Sequence, residues 1–361
     1  MSSIKFSHIK PDFFKTLRKR VEEDYFKAKN IPKTGNATMF VKSAVMLALY
    51  FGSYALMIFT HWGNYESFKL LLAVIMGIGV AGIGLSIQHD ANHGSYSSIK
   101  WVNAIMGETL TLVGGNSFTW KIQHNLYHHT YTNIDGHDED IRQRFILIFS
   151  PHSKKEWFHK YQYIYAIPLY SLLTISFLIK DFRQYIEFTA KGLAKKVNST
   201  NTYELVKLLF FKAFYLCYML IIPVYVMGFK WSEVLAVFFV MHLVAGTILS
   251  LIFQMAHVME VTQFPLPSEQ NVVENNWAIH QMETTCNFST SNKFLTWYCG
   301  GLNHQVEHHL FPNICHVHYD KISKIVKETA QEFGVPYHNY PTFAMAFDSH
   351  INALKKIGGA I

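Results

Sequence analysis

The sequence predicts an all-α membrane protein: four transmembrane helices in two hairpins under a cytosolic histidine-rich helical cap, with further interfacial helices. Three observations carry this. Half of the 361 residues are hydrophobic and only 16% are charged, against about 25% in an ordinary soluble domain. Four apolar stretches are long enough to cross a bilayer, which takes roughly 17 to 25 helical residues. The chain also holds 20 histidines, many of them in short clusters after the second and fourth of these stretches.

The elements follow in order. Residues 1–38 hold nine Lys or Arg and no apolar run near the start, so no signal peptide is expected. Within them, 13–28 mixes Phe, Leu and Val with Lys and Arg and suits an interfacial amphipathic helix. Spans are expected at 40–60, 70–88, 213–229 and 234–253. Between the first two lies only Lys69, and between the last two only Lys230, whereas 180–207 is rich in Lys and Arg. Basic residues collect on cytoplasmic loops, so the N-terminus, the central loop and the C-terminal third all belong on that side. The same rule accounts for the net charge of +7, which is not read as a nucleic-acid surface. Two weaker stretches remain. Residues 102–118 are interrupted by Glu108 and the Gly114–Gly115 pair, and 163–179 is broken by Pro168. The histidine clusters share one face only if 163–179 does not cross, so both are expected at the interface. Tyr161, Tyr163, Tyr165 and Tyr170 suit the headgroup layer.

The expected organisation is a cytosolic amphipathic segment over 1–38 and a membrane domain over 39–345. Its metal-binding cap spans 89–205 and 254–318, and C-terminal helices run over 319–361. Gly77, Ala81 and Gly84 lie three and four apart in the second span, and close helix packing is favoured over an acyl-chain groove. His242, inside the fourth span, is either functional or a hydrogen-bonded packing residue. Cys217, Cys286, Cys299 and Cys315 are scattered without a CxxC pair, which fits a reducing compartment. The N-x-S/T triplets at Asn36, Asn198 and Asn287 all fall on the predicted cytoplasmic side and read as chance matches.

The chemistry lies in the histidines. In HDANH, His89 and His93 are four apart and share a helical face, with Asp90 and Asn92 as candidates to orient their rings. In HNLYHH, His124 and His128 share a face, and His129 is turned about 100° away, so the pair can address two metals. In NHQVEHH, His304 and His308 are four apart, as are Gln305 and His309, with Asn303 leading in. His257 sits at the cytoplasmic exit of the fourth span in QMAH, after Gln254. This count exceeds the four positions of a closed zinc site and points to a binuclear centre. An all-imidazole set suits iron, zinc and copper. A site under the membrane roofed by histidines matches oxidation of a lipid chain better than hydrolysis, and unactivated C–H bonds need a redox-active metal, which zinc is not.

HDANH at 89–93, HNLYHH at 124–129 and QVEHH at 305–309, with HHTYTN and GGLNHQVEHHLFP around them, resemble the three histidine boxes of the membrane fatty-acid desaturases. The opening glutamine is similar to the front-end, linoleoyl-CoA desaturase-like branch, and the resemblance covers about 30–340. It implies two iron ions cycling between Fe2+ and Fe3+, O2 as co-substrate and a fatty acyl chain in membrane lipid or on CoA. The ligands it implies are His89, His93, His124, His128, His129, His257, His308 and His309, with Gln305 binding directly or through a water. Asp90, Asn92, Gln254, His280, Asn303 and His304 would line the substrate or support the ligands. The first 38 residues carry no HPGG haem motif, so electrons are expected from an external donor, ferredoxin or free cytochrome b5, steered by the basic surface. A hydroxylase, acetylenase or sphingolipid desaturase would use the same boxes. A histidine-rich metal transporter is the rival from another class, and it needs ionisable residues inside the spans, where only His242 qualifies clearly.

Overall fold

The structure is a computed structural model that describes residues 4–60, 65–142 and 145–361. Residues 1–3 of the expected N-terminal segment, 61–64 of the first hairpin loop and 143–144 of the expected cap lie outside the described residues. Among the described residues the chain is mostly helical, and its strands are two-residue parallel pairs: Lys5–Phe6 with Val272–Val273, and Asn287–Phe288 with Asn339–Tyr340. Among the described residues, four helices are long and apolar enough to cross a membrane, Ala37–Phe59, Glu66–Asn92, Asn201–Tyr225 and Trp231–His257, and the bent pair His159–Tyr170 with Leu173–Ala190 is so only when taken together. Two compact units divide the chain. One comprises Met1–Gly35, Gln123–Ala166 and Ile252–Ile361; the other comprises Asn36–Ile122 and Ile167–Leu251.

The second unit holds the long helices and is packed through glycine. A Cβ added to Gly77 would stand 2.6 Å from the Met241 carbonyl oxygen and 2.7 Å from Val244 Cβ. One on Gly79 would stand 2.8 Å from the Tyr50 nitrogen. These approaches need a residue without a side chain, which is the small-residue packing seen between membrane helices. Buried His242 is satisfied on both sides, with Nε2 2.7 Å from the Tyr215 hydroxyl and Nδ1 2.9 Å from Thr174 Oγ1.

The third long helix begins at Asn201, twelve residues before the expected start at 213. Thr200 caps it, its hydroxyl accepting from the Tyr203 N–H. Glu204, Lys207 and Lys212 made this half read as polar, but their charges are answered inside the unit. Lys207 pairs with Glu108 and Glu204, both at 2.9 Å. Lys212 pairs with Asp181 at 2.6 Å and donates to the carbonyls of Gly114 and Phe177. The stretch 102–118 is covered by short helices, Lys100–Gly107, Thr109–Leu112 and Ser117–Trp120, with Gly114 at φ +91° in the break. The stretch 163–179 falls in two helices, His159–Tyr170 and Leu173–Ala190, which meet at 90°.

In the first unit, Asp12–Arg20 runs on without interruption into a π-helical turn, Val21–Lys27. Its apolar stripe does not face a headgroup layer, as the sequence reading had it. Phe13, Leu17, Val21 and Tyr25 are buried in one cluster with Ile279, Met282, Val306, Leu310, Tyr319 and Ile322. A stripe at helical spacing shows that a helix needs an apolar partner; the pattern is the same for lipid and for protein. Tyr319–Glu332 and Phe343–Gly358 complete this unit, and Gln162 Nε2 donates to the Leu354 carbonyl at 3.0 Å.

Candidate metal centre

The second histidine box lies on a π-helical segment, Lys121–His128, which passes into the short α-helix His129–Tyr131. A π turn closes i to i+5, so it sets His124 beside His129 as well as His128. Their Nε2 atoms are 3.2 Å apart, while His124 and His128 stack with centroids 5.4 Å apart. The α-helical spacing expected from the sequence paired His124 with His128 and turned His129 away; the wider turn brings all three together. Two imidazole nitrogens held by one ion at about 2.1 Å each sit roughly 3 to 3.4 Å apart, so the His124–His129 spacing suits a shared metal.

The third box forms the helix Gln305–Leu310, in which every residue is buried. His257 is the last residue of Trp231–His257. Two triads converge within this unit: His128, His257 and His309, and His129, His308 and His309. In each, one ring nitrogen per residue lies within 4.8 Å of the others.

Each of four Nδ1 atoms has a partner on the far side of its ring. Asp138 holds His128 Nδ1 at 3.1 and 3.2 Å. The Thr284 carbonyl lies 3.3 Å from His257 Nδ1, Gln281 Oε1 2.8 Å from His309 Nδ1, and the Tyr319 hydroxyl 3.1 Å from His308 Nδ1. Carbonyl and carboxylate oxygens accept, so His128, His257 and His309 each carry a proton on Nδ1, and their Nε2 atoms are left for a second partner. The Nε2 atoms of those three are buried without a hydrogen-bond partner among the described residues. Buried polar atoms are rarely left so, and metal-bound imidazoles are oriented by such outer partners. The residues fit a metal.

Electrostatics divide the set. Burial alone would depress His128, but the Asp138 and Asp140 carboxylates outweigh it and raise its pKa to about 9. Burial first, and then neighbouring His129 and His257, push His309 well below the ordinary imidazole value. At that value the metal-free His128 holds a second proton on Nε2, and a cation bound there would displace it.

His89 and His93 lie in the other unit, at the end of Glu66–Asn92. Their ring centroids are 4.8 Å apart, and both rings stand edge-on to Trp120 at 5.6 and 5.7 Å. Asp90 Oδ1 is 3.7 Å from His89 Nδ1. Asn92 Nδ2 donates to Gln88 Oε1 and the Gly107 carbonyl, tying the box to the next helix. In the first unit, Asn303 Nδ2 donates to Thr296 Oγ1 and the Ser289 carbonyl, so it braces a loop. His304 Nδ1 lies 3.7 Å from buried Glu307. Gln305 sits against His257, and Gln254 is half-buried one helical turn before it. His280 is wholly buried against Phe6, and burial lowers its pKa to about 4.

The sequence reading missed Asp138, Gln281 and Tyr319. The one available signal was the acidic run after the second box, where Asp135, Asp138, Glu139 and Asp140 crowd six positions.

Residues 67–341 match the family described as Fatty acid desaturase. The chain is 39% identical over 350 residues to the acyl-lipid (8-3)-desaturase of Physcomitrium patens, covering 96% of this chain and 72% of that one. It is 37% identical over 358 residues to the sn-1 linoleoyl-lipid 6-desaturase of Synechocystis sp., covering 99% and 98%. To the sn-1 linoleoyl-lipid 6-desaturase of Arthrospira platensis it is 36% identical over 345 residues, covering 96% and 92%. With this family match and four helices apolar enough to cross a bilayer, the chain belongs to the fatty acid desaturases, membrane oxidoreductases that act on acyl lipids.

Proposed function

We propose that the chain is an O2-dependent di-iron desaturase that places a cis double bond in a lipid-linked or CoA-linked acyl chain, between an existing double bond and the carboxyl end. The observation that carries the metal is the convergence of His128, His257 and His309 with their Nε2 atoms open and buried. The proposed ligands are His89, His93, His124, His128, His129, His257, His308 and His309, with Gln305 direct or through water. His89 and His93 are included on the spacing of their box alone. The imidazole donors suit iron, copper and zinc alike, and the reaction class requires a metal that changes oxidation state. Two irons held there would supply the oxidising power: with dioxygen, two electrons and two protons, two hydrogens leave the chain and an alkene and two waters result.

The protein's own residues prepare this. Asp138, the Thr284 carbonyl and Gln281 hold the Nδ1–H side of their rings, so that the imidazoles present Nε2 without rearrangement. Burial of both triads keeps bulk water away from a strong oxidant. The front-end regiochemistry rests on Gln305 at the head of the third box and on the similarity to the sn-1 linoleoyl-lipid 6-desaturases. Electrons come from an external donor, ferredoxin or free cytochrome b5, drawn by the basic balance of a chain of net charge +7. The charge distribution supports a cytoplasmic N-terminus, C-terminus and metal-binding cap, in a membrane domain over 39–345.

The test is gas chromatography–mass spectrometry of fatty acids from a desaturase-deficient host, comparing wild type with His128→Ala and feeding polyunsaturated precursors. A new double bond on the carboxyl side of an existing one, with wild type only, is the expected result. A hydroxylated chain without an alkene would move the reading to a lipid hydroxylase on the same scaffold.

A further inference from the structure

We infer that Asn133 and Asp138 form one clamp that positions His128 and His257 relative to each other; this rests on the metal-centre reading above. Neither residue is among the histidine-box positions, and both are buried, at 0% and 1% exposure.

Asp138 works on the His128 side. Both its oxygens reach His128 Nδ1; Oδ1 also accepts from the Asp140 N–H and Oδ2 from the Asn133 N–H, each at 2.9 Å. Asn133 works on the His257 side. Its Nδ2 donates to the His257 carbonyl at 2.8 Å and to the Gln263 carbonyl at 3.1 Å. It also lies 3.5 Å from the Thr284 carbonyl, the oxygen that receives His257 Nδ1. The turn that lets one residue face both ways is left-handed. Asn133 has φ +58°, a region costly for most side chains and open to Asn and Gly. The backbone N–H of Asn133 thus addresses the carboxylate that orients His128, and its amide holds the chain at His257. Positioning of the two rings is linked across the four residues between Asn133 and Asp138. The clamp touches no reacting atom, and its residues are positioning residues.

The device acts as a unit, which gives it a signature. Loss of an outer partner to a metal-binding histidine weakens metal binding by roughly 10- to 100-fold. Removal of either end should release the same constraint, so the double variant should lose no more than the worse single. A merely structural pair would lower the unfolding midpoint of metal-free protein and leave metal affinity alone.

The experiment uses the full chain in detergent, stripped of metal and titrated anaerobically with Co2+ against a chelator. Visible absorption reports coordination, and thermal unfolding is followed without metal. Asn133→Gly keeps the left-handed turn and deletes the amide; Asp138→Asn keeps the shape and deletes the charge; Asp135→Asn is the control in the same acidic run. The expected result is a loss of roughly 10- to 100-fold in Co2+ affinity at one site and an altered spectrum in both variants. The double variant should lose no more than the worse single, and the metal-free midpoint should stay close to wild type. Wild-type affinity in both, or losses that multiply in the double, would overturn the clamp. If Asn133→Gly does not fold, Asp138→Asn decides by the same readout. Undiminished binding in His128→Ala would instead bring down the metal-centre reading itself.

Discussion

Gln281 Oε1 lies 2.8 Å from His309 Nδ1 and 2.8 Å from Thr132 Oγ1, so one amide oxygen accepts from the third histidine box and from the helix that ends the second. Gln281→Leu strands the imidazole N–H in a buried site, which costs about 1–3 kcal/mol, and releases the tautomer that keeps His309 Nε2 open. We expect the metal-free protein to unfold at lower temperature, metal affinity to fall roughly 10- to 100-fold, and desaturated product to be lost. Gln281→Glu restores an acceptor and should recover most of the binding. Metal per chain, measured beside the unfolding midpoint, checks both; unchanged metal content in Gln281→Leu would remove Gln281 from the site.

The histidines of the boxes were legible because imidazoles at helical spacing are local patterns. Their partners were not. Asp138, Gln281 and Tyr319 lie 10, 28 and 11 residues from the rings they hold, and no spacing rule connects them. The same limit shaped the fold. The spans at 40–60, 70–88 and 234–253 stood out as apolar runs, and the structure extends the last two to Glu66–Asn92 and Trp231–His257. The start of the third was hidden by Lys207 and Lys212, whose partners Glu108 and Asp181 come from other segments. The stripe of Phe13, Leu17, Val21 and Tyr25 was plain, but a stripe does not say what covers it. The π turn at Lys121–His128 leaves no mark on the sequence, and it decides which histidines face one another.

Lys212 and Asp181 form a buried pair at 2.6 Å, both about 5% exposed at the side chain. Removing one partner leaves an uncompensated buried charge, which costs roughly 3–5 kcal/mol, whereas replacing both can be near neutral. Lys212→Met should therefore lower the unfolding midpoint in detergent sharply, and Lys212→Met with Asp181→Leu should recover much of the loss. A double variant no better than the single would mean that the carbonyls of Gly114 and Phe177, not the charge, are what Lys212 serves.

Gly77 and Gly52 make a matched pair for testing how tightly the long helices pack. A Cβ on Gly77 collides with the Met241 carbonyl and Val244, whereas one on Gly52 meets nothing within 4 Å. Overpacking typically costs about 1–3 kcal/mol, and Gly→Ala in an open helical position gains up to about 1 kcal/mol. Gly77→Ala should destabilise the protein and Gly52→Ala should not. An acyl groove along this face would give the opposite result for Gly77: unchanged stability with an altered chain-length preference in the product profile.

His350 is buried and donates from Nδ1 to the Val258 carbonyl at 2.8 Å, one residue beyond His257. Burial lowers its pKa from 6.5 to about 4. The folded state thus prefers the neutral ring, while the unfolded chain takes up a proton near the ordinary value. Stability from this preference is complete above about pH 6.5 and drains away as the pH falls from there toward 4, because the unfolded state then binds more protons. Buried His280, also lowered to about 4, adds to the same slope. His350→Gln still donates to Val258 and cannot be protonated, so its unfolding midpoint should fall less steeply between pH 6.5 and 4. Midpoints recorded across that window for both proteins decide the matter: parallel curves would mean that His350 does not titrate on unfolding, and that the acid sensitivity of this unit lies elsewhere.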